Sequence, residues 1–111
     1  MTTLIPLDAN DTPIPALRLK DGGAHHIAAS ATAARNATAF DAGTRIVSLY
    51  ASVPVYVKFG GSTVTATSSD HYFPEGIYYD LAIGGERAAH YTHVSVLRVS
   101  SDGDVYISEK E

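Results

Sequence analysis

The chain has no cysteine among its 111 residues. Disulfides, thiolate metal centres and cysteine nucleophiles are therefore excluded, and a reducing compartment imposes no penalty. No apolar run approaches the roughly 20 residues that a membrane-crossing helix needs. The opening stretch MTTLIPLDANDTPIP lacks the basic start and long apolar core of a signal peptide, which predicts synthesis in the cytosol. Charge is scarce as well. The net value is −4, and most of it sits after Val99, where Asp102, Asp104, Glu109 and Glu111 face Lys110 alone. A neutral body with an acidic end offers no clustered Lys and Arg for phosphates, so direct nucleic-acid binding is not expected.

Short apolar runs separated by turn residues dominate what is present. From Arg45 to Leu81 the rhythm is too quick for helices, and Val53, Val55, Val57 and Phe59 form a strict period-two stripe. The segment Ile46–Ala51 is apolar on both faces, as in a strand inside a sandwich. Gly60-Gly61 predicts a hairpin turn, with Thr63–Thr67 returning as a β-branched strand. Pro54 places the start of its strand at an edge or a bulge. Ser68-Ser69-Asp70 reads as a turn and Phe73-Pro74-Glu75-Gly76 as a corner. The next strand points Ile77, Tyr79, Leu81 and Ile83 one way and Tyr78, Asp80 and Ala82 the other. Gly84–Ala89 reads as a loop or a single helical turn. His93–Val99 and Val105–Ser108 are further strands, with an Asp102-Gly103 hairpin signal between them.

The first part is less regular. Pro6, Pro13 and Pro15 cannot donate to a ladder, which predicts an extended arm gripping a neighbour or a frayed terminus. Ala16–Lys20 alternates apolar and basic residues as a short strand that Asp21-Gly22-Gly23 ends. Residues 24–40 suit helix by alanine content, but their Ser, Thr and Asn tip them towards extended structure. The expected architecture is a small all-β protein: an antiparallel β-sandwich, jelly-roll-like, with an N-terminal arm. Residues 1–23 hold the arm and first short strand, and residues 24–111 form the single sandwich domain.

The side chains that could carry chemistry are sparse. Of the five histidines, His25 and His26 are adjacent and point to opposite faces of a strand. His90 and His93 sit at a strand entrance, and His71 stands alone. Zinc needs three or four convergent ligands, so no metal site is assigned. Ser68, Ser69, Asp70 and His71 lack the strained nucleophile turn of a hydrolase. GGSTVT lacks the lysine of a phosphate loop. No catalytic residue and no cofactor is assigned. Tyrosine, with 7 copies, is the enriched aromatic. Because it buries area at low entropic cost and keeps a polar tip, it suits interfaces. The interface residues expected from the sequence are Pro6, Pro13, Pro15, Tyr56, Tyr72, Tyr78 and Tyr79.

An ordered series of segments adds a resemblance. Thr44-Arg45-Ile46-Val47-Ser48-Leu49, Val55-Tyr56-Val57-Lys58-Phe59-Gly60, Tyr72-Phe73-Pro74-Glu75-Gly76, His93-Val94-Ser95-Val96-Leu97 and Gly103-Asp104-Val105-Tyr106-Ile107-Ser108-Glu109 follow one another along about residues 40–109. The series resembles a pattern of small tailed-phage and prophage structural proteins of the capsid cement (decoration) or head-completion type. Glu75 departs from the small residue of their corner, Arg45 and Ser48 shift their basic position, and residues 1–39 match nothing in it. The resemblance implies a jelly-roll-like virion protein that is not an enzyme, is made in the host cytoplasm and assembles on the particle. Its partners would be itself, as a symmetric oligomer such as a trimer, and the major capsid or other virion proteins, with no nucleic acid and no membrane. Two other classes fit the residues: a carbohydrate- or receptor-binding module stacking on Tyr72, Tyr78 and Tyr79, and a small cupin-like metal enzyme.

Overall fold

A computed structural model describes residues 17–84 and 89–111. Among these there is no helix, and eight strands form two four-stranded antiparallel sheets. The strands are β1 (Leu19–Ala29), β2 (Ala34–Arg35), β3 (Ile46–Ala51), β4 (Val55–Gly60), β5 (His71–Phe73), β6 (Tyr78–Ala82), β7 (His93–Arg98) and β8 (Gly103–Lys110). One sheet has the order β1-β8-β3-β6, the other β2-β7-β4-β5. The pairing is nested: first strand with last, second with seventh, third with sixth, fourth with fifth. A long folded hairpin, rolled so that β3 meets β8 and β4 meets β7, produces this order. The all-β antiparallel sandwich expected from the sequence is the fold observed.

Strand alternation decides what the sheets enclose. From the first sheet Ile27, Ala29, Val47, Leu49, Ala51, Val105 and Ile107 point inward, and from the second Val55, Val57, Val94 and Val96. Phe40 and Ile83 cap the layer from outside the strands. Valine and isoleucine dominate because β-branched side chains fill a pleated surface with little rotamer freedom to lose. At ~2–5 kcal/mol for truncating a buried Leu or Ile, this one cluster outweighs every surface ion pair.

Several local expectations are corrected. Asp21-Gly22-Gly23 does not end a strand: β1 runs through it with a register shift between Leu19 and Ala24, and Gly22 takes φ 75° inside the irregularity. Strand β1 therefore crosses residue 23, and Leu19–Gly23 belongs to the sheet. Gly60-Gly61 is not a hairpin, and Thr63–Thr67 is not a strand. Neither glycine has positive φ. The segment lies as a loop in which Val64 and Ala66 are buried. Its backbone groups are met by side chains, Ala66 N–H donating to Ser95 Oγ and Val64 O accepting from Arg35 Nη1, and by local turns such as Val64 N–H to Gly61 O, so the β-branched pattern is satisfied without a ladder. Strand β4 pairs instead with β5. Asp102-Gly103 joins strands of different sheets, an arch rather than a hairpin. Pro54 sits just before β4, which is an interior strand of its sheet, neither edge nor bulge. The corner at Phe73–Gly76 is as expected: it carries the chain from one sheet to the other, with Gly76 at φ 78°. Pro6, Pro13, Pro15 and most of the Gly84–Ala89 loop lie outside the described residues.

Candidate functional site: an aromatic row on the outer face

The outer face of the β1-β8-β3-β6 sheet carries the arrangement least explained by folding alone. His26 on β1 stands opposite Tyr106 on β8, Tyr106 opposite Tyr50 on β3, and Tyr50 opposite Tyr78 on β6. Four ring-bearing residues thus form one row across all four strands, a span of roughly 14 Å at the usual strand spacing. His26 and Tyr106 stack, with ring centroids 5.0 Å apart and planes inclined by 16°. Tyr50 lies 6.5 Å from Tyr106 at 38°. The Nε2–H of His26 donates to Asp104 Oδ1 at 2.7 Å, which fixes the first ring. At the other end Lys110 Nζ stands 5.1 Å above the Tyr78 ring and donates to Asp80 at 2.7 Å. That hydrogen bond to Asp80, aided by Tyr78, raises the Lys110 ammonium above its ordinary range.

The row is exposed, Tyr78 by 56% and Tyr106 by 48%. The adjacent row, Ala24, Ser108, Ser48 and Asp80, is small or polar, so the rings stand as a crest beside a shallow trough. Cross-strand ring pairs contribute only ~0.2–1 kcal/mol each to folding. Covering the exposed half of one ring, on the order of 100 Å², yields about 2 kcal/mol. That is comparable with what each ring already contributes by burying its other half in the fold, and it is open to a partner.

Of the tyrosines expected at an interface, Tyr78 lies in this row. Tyr72 is exposed but belongs to the other sheet, where it packs edge-on against half-buried Tyr56 at 6.2 Å. Tyr79 faces inward and meets Phe73 edge-on at 4.9 Å. The four do not form one patch. Sequence reasoning missed His26, Tyr50 and Tyr106 as a group, because the register that aligns them links residues far apart in the chain.

A second polar cluster lies on the inward side at one end of the sandwich. Glu109 accepts from Asp41 N–H at 2.8 Å, from Thr44 Oγ1 at 2.6 Å and from His25 Nε2 at 2.8 Å. Burial pushes its carboxyl up, but the hydrogen bonds from Thr44, His25 and Asp41 together outweigh that and hold it below its ordinary value. His25 also meets Phe40 edge-on at 5.1 Å. All the partners here are structural: the cluster ties β1 and β8 to the loop before β3. His90 donates to the Thr44 carbonyl at 2.6 Å. Among the described residues no three His, Asp or Glu side chains converge in a way that could hold a metal ion. The adjacent histidines do point to opposite faces, as their spacing requires.

Comparison with known proteins adds no assignment: no family model, curated protein or solved structure matches this chain.

Proposed function

We propose that this chain is a non-enzymatic structural protein of a tailed-phage or prophage particle, stabilising the capsid or the head–tail region by contact rather than by turnover. The aromatic row of His26, Tyr106, Tyr50 and Tyr78 carries the reading. Rings exposed together across one rigid sheet, in a neutral surrounding where His26 is paired with Asp104 and Lys110 with Asp80, suit docking against a protein surface. The nested strand order is compatible with the jelly-roll-like architecture expected from the sequence, one that viral shell proteins, lectins and cupins share. Fold alone does not choose among those three, so the choice rests on the site.

The site favours the first. A sugar-binding platform of Tyr72, Tyr78 and Tyr79 needs the three rings on one face, whereas Tyr72 is on the other sheet and Tyr79 faces inward against Phe73. A cupin-like enzyme needs three or more ligands converging between the sheets, and among the described residues no such group exists, His25 being bound to Glu109. Copies would self-associate with cyclic symmetry and the ring-bearing face would meet the larger shell. The test is co-sedimentation of the purified protein with particles lacking it. Binding that is lost on replacing Tyr50 and Tyr106 with serine supports the proposal. Undiminished binding by that variant removes the row from it, and no binding by the wild type rejects it.

A further inference from the structure

The two ends of the same sheet differ in shape. At the β6 edge the sandwich is open. Strands β5 and β6 follow one another in the chain, yet each is the outermost strand of its own sheet. Between them lies a cleft of about 420 Å³, lined by Val57, Phe59, His71, Tyr72, Phe73, Leu81 and Ala82. A space of this size, with mainly apolar walls, is large enough to take one or two branched side chains of a partner. At the opposite edge, where β1 begins, Leu17 and Leu19 are exposed by 50% and 65%, more than any other large aliphatic side chain among the described residues.

These two features are aligned. Leu19 pairs with Lys110, Lys110 with Ile46 and Ile46 with Ala82, so the exposed leucine and the lip of the cleft end one cross-strand row. The charges flanking the knob and the row are paired within the chain, Arg18 with Glu111 at 2.9 Å and Lys110 with Asp80 at 2.7 Å. Knob and hole lie on opposite edges of the molecule, β1 being at one end of its sheet and β6 at the other.

We infer that a second copy of this chain is the occupant: Leu17 and Leu19 of one subunit enter the cleft between β5 and β6 of the next. The contact is head to tail. Unlike a two-fold contact, it leaves a free knob and a free hole after every addition and ends only when a ring closes. This rests on the self-association in the proposed function and names its interface. The leucines act as anchors filling a pocket, and Val57, otherwise fully buried, forms the floor they reach.

Two exposed positions allow a test that leaves the core intact, Leu19→Glu for the knob and Ala82→Glu for the lip of the hole. Light scattering of the wild type should give a multiple of the protomer mass, and each variant alone should fall to the protomer mass with an unchanged circular dichroism spectrum. An equimolar mixture of the two should rise to twice the protomer mass and no further, since it contains one good knob and one good hole per pair. A wild type that stays at protomer mass at every concentration overturns the inference, as does an oligomer that survives both substitutions. The protein can still be found in particles in either case, so failure here is distinguishable from failure of the virion assignment.

Discussion

Glu109 and His25, 84 positions apart in the chain, meet at 2.8 Å because β1 and β8 are neighbours in the sheet. Both side chains are more than nine-tenths buried. The carboxylate takes three protein donors in the folded state and exchanges them for water on unfolding. Its depressed pKa makes a definite demand on acid stability. The stabilisation is fully present above the unfolded value near 4.5 and is lost as the pH falls through the lower folded value. Thermal melts as a function of pH should show this loss in the wild type. In Glu109→Gln the acid-dependent slope should shrink, with the variant less stable at neutral pH by roughly 1–3 kcal/mol.

The aromatic row predicts a separation between stability and binding. Replacing Tyr50 and Tyr106 with serine removes ring pairs that contribute ~0.2–1 kcal/mol each together with the half-buried ring area, so the melting temperature should fall by roughly 10 °C while the fold is retained. Attachment to the shell should weaken at least about tenfold, the equivalent of ~1.4 kcal/mol. Equal losses in both measurements would mean that the rings serve the fold.

Asn36 shows how a short strand is extended by side chains. After the two residues of β2, its Oδ1 accepts Val94 N–H at 2.8 Å and its Nδ2 donates to Thr38 O at 2.7 Å. Asn36→Ala should strand a buried donor at a cost of ~1–3 kcal/mol, read from denaturant unfolding. Hydrogen exchange should speed up at Val94 before it does at Val96.

Gly103 begins β8 beneath the turn that follows β3. A Cβ there would lie 2.5 Å from Val53 Cγ2 and 2.8 Å from Ser52 Oγ. Gly103→Ala should destabilise by more than about 1 kcal/mol, since the turn must shift to admit one methyl group. Gly61→Ala is the control: nothing lies within 4 Å of its added Cβ, and the change should be near neutral.

Much of this architecture was legible in the residues. Val55, Val57 and Phe59 announced a strand by period two, and Gly76 with Pro74 announced the corner between sheets. What could not be read was pairing across distance. Gly60-Gly61 and Asp102-Gly103 carry hairpin chemistry, yet one leads into a loop held by Ser95 and the other crosses between sheets. Turn residues set local angles, whereas the partner of a strand is set by which apolar faces the whole chain can bury. The same limit hid the aromatic row. Tyr50, Tyr78 and Tyr106 were visible as an excess of one residue type, but only the register of β8 between β1 and β3 puts them in line with His26.

The measurement closest to the central claim is quantitative mass spectrometry of purified phage or induced prophage particles. A mechanical shell protein should be present at a copy number fixed by the lattice, in constant ratio to the major capsid protein from one preparation to the next. Complete particles that contain none of this chain would contradict the account.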